Sequence, residues 1–317
     1  MTPGVTAPVF LTGGSGLLAV NWAVAIRDRC PVVLGTHRRP IRLAGVSARR
    51  VTLESVAELT DTLKEIGPRL VVHAAGMTNV DACEQRPDDA QHVNVELAAN
   101  VAHACASLDL PLVHISTDHF VSEDTAFAVE EQPVSPVNVY GRTKADGEKR
   151  VREAHPPAII ARTNFYGWGP SYRRSFSDTI IDTLRKGESI RLFRDVSYTP
   201  ILASVLVDAV HDLVDSGASG IFHVSGDECL TKYEFGLRIA DRFGLDRTLI
   251  NGGLLHEAGL APRPRGMSLS NKKTASIIGR PLGGVDEHLD LLWDQEASGM
   301  AVEIQQIGSV SSGSSLN

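Results

Sequence analysis

Short apolar runs and longer stretches of helical spacing alternate along the first half of the chain. Val9–Thr12 reads as a fully buried strand, and Leu17, Leu18, Val20, Trp22, Ala23 and Ile26 then recur at helical intervals. Residues 32–34 form a second apolar run and residues 51–53 a third. Val56–Ile66 has a helical pattern, and residues 70–74 form another strand after the turn residue Pro68. Asn94, Leu97, Ala98, Val101, Ala102 and Cys105 mark a helix that leads to a strand at 112–116. Pro133 and Pro136 punctuate a loop; the helix after it carries Tyr140, Lys144, Glu148 and Val151, and a strand follows at 158–162. Strands separated by helices in this way predict the α/β class, with a Rossmann-type doubly wound parallel sheet.

Further on, Trp168-Gly169-Pro170 and the polar stretch to Ser177 read as a mobile connection. A helix at 176–186, a strand at Ile190–Phe193, a helix at 201–214 that packs back on the first unit, a strand at 220–224 and a helix at 233–243 follow. This half predicts a smaller, interleaved α/β unit. Gly308-Ser309-Val310-Ser311-Ser312-Gly313-Ser314-Ser315 offers almost nothing to bury, so residues 304–317 are expected to form a mobile tail.

Composition narrows the function more than the fold. Charged residues make up 22% and hydrophobic residues 43% of the 317, the balance of a globular protein with a sizeable core. With 38 acidic against 31 basic residues the formal charge is -7, which argues against a nucleic-acid partner. Cys30, Cys83, Cys105 and Cys229 are scattered without zinc spacing and have apolar neighbours, so we expect buried thiols, no metal and a reducing compartment. No run is long enough for a membrane span and no basic leader precedes Val9, so a cytoplasmic protein without membrane contact is expected.

Gly13-Gly14-Ser15-Gly16-Leu17-Leu18-Ala19 gives G-x-x-G-x-x-A between a strand and a helix. Glycine allows a tight turn and close backbone approach, and a helix N-terminus presents unpaired N–H groups to a pyrophosphate. Residues 1–165 are therefore read as an NAD(P)-binding domain and 166–303 mainly as a substrate domain, with segments returning to the first. The second strand runs into Gly35-Thr36-His37-Arg38-Arg39, with two arginines where an NAD site usually places a carboxylate. A guanidinium pairs with a 2′-phosphate, so NADPH is expected, with NADH as the alternative; a solvated basic edge explains the same residues.

Tyr140 and Lys144 stand four residues apart, on one side of their helix. A nearby ammonium favours the phenolate, and a tyrosine so placed can donate a proton to an alkoxide that forms on hydride transfer. Thr117 closes a parallel strand, where such sheets bind ligands, and its hydroxyl can polarise a carbonyl; a turn or helix cap is the other reading, for Asp118 as well. His119 is left out of the catalytic set as a structural histidine. The small residues of His73-Ala74-Ala75-Gly76 allow close backbone approach to a cofactor, and Asn94 suits either a tie between this region and its helix or a cap.

Taken together, these residues resemble the extended short-chain dehydrogenase/reductase family, in particular its dTDP-4-dehydrorhamnose reductase branch, over nearly the whole chain up to about Glu303. The resemblance rests on His73-Ala-Ala-Gly-Met-Thr-Asn-Val-Asp81 with Glu84, on Ile115-Ser-Thr-Asp118, on Pro136-Val-Asn-Val-Tyr-Gly-Arg-Thr-Lys-Ala-Asp-Gly-Glu148 and on Arg162-Thr-Asn-Phe-Tyr-Gly167. It implies Thr117, Tyr140 and Lys144 as the active triad, with Tyr140 as acid and Lys144 also touching the nicotinamide ribose. It further implies cofactor contacts from Gly13, Ser15, Gly16, Leu17, Leu18, Arg38, Arg39, Ala74, Ala75 and Asn164, with Asn94 added as a cofactor-side residue. The substrate would be a nucleotide-linked sugar reduced at C4, faced by Asn79, Asp118 and Tyr166, and a homodimer is open because related reductases are often dimers. Ala19 and Val20 depart from the usual close-packed glycine and the residue after it, Thr52 from an adenine-contacting aspartate, and His119-Phe120-Val121 from the usual Tyr-Val-Phe order. The same branch includes the non-catalytic β subunit of methionine adenosyltransferase, and the wider family includes NAD-dependent sugar-nucleotide epimerases and dehydratases, so both stand as alternatives.

Overall fold

A computed structural model describes residues 7–120 and 126–307. In chain order its elements begin β1 (Val9–Thr12), α1 (Leu17–Ile26), β2 (Val32–Thr36), β3 (Ser47–Arg50), α2 (Val56–Ile66), β4 (Leu70–His73), α3 (Val80–Gln85) and α4 (Pro87–Gln91). A π-helical turn (His92–Glu96) leads into α5 (Leu97–Ser107), β5 (Leu112–Ile115), α6 (Val139–Ala154) and β6 (Ile159–Arg162). The later half contains β7 (Phe165–Tyr166), α7 (Phe176–Arg185), β8 (Ile190–Phe193), β9 (Ser197–Tyr198), β10 (Ile201–Leu202), α8 (Ala203–Asp215) and β11 (Gly220–His223). After these come β12 (Leu230–Thr231), α9 (Lys232–Phe243), β13 (Ile250–Gly253), β14 (Gly266–Met267), α10 (Lys272–Ile278), α11 (Val285–Ala297) and α12 (Met300–Gln306).

The central sheet has seven parallel strands in the order β3-β2-β1-β4-β5-β6-β11. Both of its faces are covered, which is why β1 and β4 read as unbroken apolar runs instead of alternating. Val9, Leu11, Leu70 and Val72 point into one core cluster, while Phe10 and Val71 point into the other. The chain reverses direction across the sheet between β1 and β4, and this switch point is where an open α/β sheet leaves a crevice at its strand ends.

Several expectations shift. The third strand is Ser47–Arg50, not 51–53; as a mostly exposed edge strand it carries polar residues, and the apolar signal came from Val51, which is tucked in just beyond it. Residues 201–214 start as β10, paired with β7, before turning helical, and α8 then packs against α1 in the first unit. The strand expected at 220–224 is the seventh strand of the central sheet, beside β6. Trp168 does not lie in a mobile connection: it is fully buried, its indole donates to the Leu292 carbonyl (3.2 Å), and Asn21 of α1 donates to its own carbonyl (2.7 Å). A tryptophan that buries its whole ring and satisfies its N–H anchors a segment. Residues 304–307, expected in a mobile tail, are instead packed, since α12 runs to Gln306 and Ile304 and Ile307 are buried; the Gly/Ser-rich stretch from 308 and Val121 lie outside the described residues. All four cysteines are free, Cys83 and Cys105 buried as expected but Cys30 and Cys229 only half-buried.

Candidate active site

The turn after β1 is built for close approach. Gly13 has φ of +67°, a left-handed conformation that favours glycine, and a Cβ there would lie 2.8 Å from the Ala75 backbone. Gly16 caps α1 without a side-chain hydrogen bond, so among the described residues no cap side chain takes up the first-turn N–H groups, and Gly16, Leu17 and Leu18 line the cleft. Such a helix end suits a pyrophosphate, and Gly13, Ser15, Gly16, Leu17, Leu18, Ala74 and Ala75 all line this cleft.

Beyond the turn, the groove continues past the end of β2, where Arg38 and Arg39 line it and are exposed. The guanidinium of Arg39 lies 3.9 Å from the ring centroid of Tyr172. The fold also brings carboxylates here that adjacency along β2 did not reveal: Glu54 and Asp89 line the same groove, with Glu54 paired to His92 (3.0 Å). Glu96 and Glu54 raise the His92 pKa, in that order of strength, so His92 offsets part of the negative charge as pH falls.

At the other end stands α6. Asn138 caps it by accepting from the Gly141 N–H (2.7 Å), and the Glu84 carboxylate accepts from the Val139 N–H (2.5 Å). The inward stripe of this helix is polar, so each group needs a partner. Thr143 donates to the Tyr140 carbonyl (3.1 Å), Lys144 donates to the Ile115 carbonyl (2.8 Å), and Glu148 accepts from Arg162 (2.8 Å). Gly147 lets the helix close on the π-helical turn, since a Cβ there would lie 2.4 Å from the Asn94 carbonyl oxygen.

Thr117, Asp118, Tyr140, Lys144 and Asn164 line one cleft with the glycine turn. The Thr117 hydroxyl donates to Asp118 Oδ1 (3.4 Å) and accepts from the His119 N–H (3.3 Å). Burial raises the Tyr140 phenol pKa and outweighs the downward pull of the nearby Thr117 hydroxyl, so Tyr140 stays protonated. Burial also brings Lys144 down to about 8, against an upward pull from Glu148. The Lys144 ammonium lies 3.5 Å from His114 Nε2. His114 stacks on His73 at 5.3 Å, and burial holds both rings neutral, His73 at about 3. His119 packs edge-on against Tyr140 at 5.2 Å and burial holds it at about 3, which keeps it neutral and fits its structural reading.

Three expected contacts lie elsewhere. Asn94 lines neither part of the cleft: its Oδ1 accepts from the Met77 N–H (2.8 Å) and its Nδ2 donates to the Met77 carbonyl and to Thr143 Oγ1 (both 3.0 Å), so its amide is spent as a structural tie. Asn79 caps α3 by accepting from the Ala82 N–H (2.8 Å) and also lies outside the cleft. Tyr166 is buried edge-on to Phe235 at 4.9 Å, in the core of the second half.

The later half of the chain adds residues to the cleft and its surroundings that have no local sequence signal. Arg173 and Phe176 line the cleft and Tyr172 lies beside it; the Tyr172 hydroxyl donates to the Ser15 carbonyl (2.9 Å) and Arg173 donates to Thr78 Oγ1 (2.8 Å). Lys232, first residue of α9, sits over the Tyr198 ring (3.2 Å to the centroid) and within electrostatic reach of Asp118. Burial pushes the Asp118 carboxyl up and the Lys232 ammonium down, and each group opposes the shift of the other; Asn164 also steadies the carboxylate by donating to it (2.6 Å).

Similar proteins share this frame. The chain is 31% identical over 275 residues to the "Probable low-salt glycan biosynthesis reductase Agl14" of Haloferax volcanii, covering 85% of this chain and 92% of that one. It is 32% identical over 222 residues to the dTDP-4-dehydrorhamnose reductase of Mycolicibacterium smegmatis, covering 67% and 66%. Over 244 residues it is 30% identical to "Methionine adenosyltransferase 2 subunit beta" of Rattus norvegicus, covering 75% and 72%. The crystal structure of dTDP-4-dehydrorhamnose reductase from Bacillus anthracis in complex with NADP superposes with a TM-score of 0.81 at 24% identity, covering 91% of this chain and 99% of that one, and shows the same fold. Since the family model described as "RmlD substrate binding domain" matches residues 7–297, nearly all of the elements that build the sheet and the cleft, the chain belongs to the RmlD substrate binding domain family.

Proposed function

We propose that the chain reduces the 4-keto group of a nucleotide-linked deoxysugar, dTDP-4-dehydrorhamnose or a close relative, using NADPH. The observation that carries this reading is one cleft with an uncapped helix N-terminus and glycine turn along it and the Thr117/Tyr140 pair at its reacting end. The bound cofactor supplies a hydride to the carbonyl carbon. Thr117 Oγ1 orients the carbonyl oxygen, and Tyr140, kept protonated by burial, transfers its proton to that oxygen as the C–H bond forms, so a ketone becomes a secondary alcohol. Lys144, fixed by the Ile115 carbonyl, holds positive charge beside the phenolate left behind. Asp118, steadied by Asn164 and Lys232, accepts from sugar hydroxyls, and Arg38 and Arg39 take the 2′-phosphate of the cofactor. The free cysteines suit a reducing, cytoplasmic setting.

The test is a panel of dTDP-, UDP- and GDP-linked 4-keto sugars assayed for NADPH oxidation, with product stereochemistry read by NMR. Turnover of at least one is expected. The likeness to methionine adenosyltransferase 2 subunit beta supports a second reading, a regulatory subunit that binds the cofactor without chemistry. Tight NADPH binding with no turnover on any panel member, together with stable capture of a larger enzyme, would establish that reading in place of the first.

A further inference from the structure

Tyr172 joins two parts of the cofactor groove. Its hydroxyl donates to the Ser15 carbonyl in the glycine turn (2.9 Å), and its ring lies beneath the Arg39 guanidinium, 3.9 Å from carbon to centroid. Ser15 and Arg39 line the same groove. The segment that carries Tyr172 is held firmly: Trp168 is fully buried, Asn21 donates to its carbonyl (2.7 Å), and the Arg173 N–H donates back to the Pro170 carbonyl (2.8 Å). Among the described residues Arg39 makes no ion pair, and stacking uses its face while the edge N–H groups stay free. An exposed arginine loses rotamer freedom when it grips a phosphate, and a ring already beneath it removes part of that cost.

We propose that Tyr172 is a specificity-determining residue for the cofactor: it preorganises Arg39 toward a 2′-phosphate, so a residue of the second half of the chain helps set the preference for NADPH over NADH. This rests on the NADPH reading above. It assigns the segment after Trp168 a part in cofactor choice as well as in closing the cleft. Among the described residues Arg38 has no comparable ring, which makes Arg39 the better ordered of the two clamps.

Calorimetric titration of the full chain with NADPH and with NADH tests it. Tyr172→Leu removes the ring, Tyr172→Gln removes the ring but retains a donor for Ser15, and Tyr172→Phe retains the ring alone. Leu and Gln should weaken NADPH about two- to fivefold more than NADH, the scale of an exposed cation–π contact, and Phe should keep the wild-type ratio. In an Arg39→Ala background the selective effect should vanish. Equal weakening of both cofactors, an unchanged ratio in the Leu and Gln variants, or a selective effect that persists without Arg39 would overturn the inference while leaving the NADPH reading intact. A wild-type protein that binds NADPH no tighter than NADH would overturn the NADPH reading, and the inference with it.

Discussion

The helix that carries Tyr140 and Lys144 is tied to the sheet by a buried ion pair, and Glu148→Gln tests how much depends on it. Glu148 and Arg162 are 4% and 5% exposed, and Arg162 gives Glu148 three hydrogen bonds, from Nη2 to Oε2 at 2.8 Å and from Nε to Oε1 and Oε2 at 3.0 and 3.2 Å. Breaking a buried pair from one side costs about 3–5 kcal/mol because the remaining charge is stranded. Glutamine keeps one acceptor but turns a donor toward a guanidinium that has only donors, so we expect about 3 kcal/mol. At about 2 °C per kcal/mol for a chain of this length, the melting temperature should fall by about 6 °C. Thermal melts followed by far-ultraviolet circular dichroism give the comparison. The double variant Glu148→Leu/Arg162→Met should regain most of the loss, since apolar replacements strand no charge. The charge of Glu148 also raises the Lys144 pKa, so its removal should move the alkaline limb of the kcat/KM profile to lower pH. A melting shift below about 2 °C, the scale of a surface pair, would refute the argument that this pair anchors α6.

Tyr140→Phe should lower turnover by about 10²–10⁴-fold, the contribution of a placed proton donor, with NADPH affinity retained; near-wild-type turnover removes Tyr140 from the acid role. Replacing Arg38 and Arg39 together by alanine should weaken NADPH by about ten- to a hundredfold and leave NADH nearly unchanged, and equal loss of both in calorimetry would remove the arginines as a phosphate clamp. Asp118→Asn should raise KM for the sugar nucleotide by about tenfold or more without affecting NADPH binding, and unchanged kinetics would return Asp118 to a turn-capping role. Lys144→Met should stabilise the fold at neutral pH. Burial holds the folded-state pKa near 8, below the ordinary 10.5, so the unfolded chain binds more protons between those values. The penalty is therefore full below about pH 8 and fades as pH rises toward 10.5. About 3 kcal/mol of penalty, less about 1 for the unpaired Ile115 carbonyl, leaves a gain of about 2 kcal/mol; chemical denaturation at pH 7 and 10 that shows no gain, or a gain that grows with pH, contradicts it.

Much of this protein was legible along the chain because its local signals agree. Strands buried on both faces leave unbroken runs such as Val9–Thr12 and Leu70–His73, and Val56–Ile66 shows its helix by periodicity. The glycine turn and the Tyr140/Lys144 spacing are equally local, since a tight turn and one face of a helix are set by residues within a few positions of each other. What the sequence could not show depends on partners far along the chain. The edge strand Ser47–Arg50 is polar because nothing covers it, and Trp168 reads like a loop residue until Asn21 and Leu292 close around it. Motif resemblance points Asn79 and Tyr166 at the cleft, yet a hydrogen bond at Ala82 and packing on Phe235 take them out of it, and of the two readings open for Asn94 the bonds to Met77 and Thr143 select the tie. Spacing puts Lys144 on the same helix side as Tyr140, but only the tertiary structure decided that desolvation dominates the phenol, because burial is set by everything packed around a group and not by its neighbours in sequence. For the same reason Lys232 beside Asp118 and Tyr172 beneath Arg39 appear only once the second half of the chain folds back over the first.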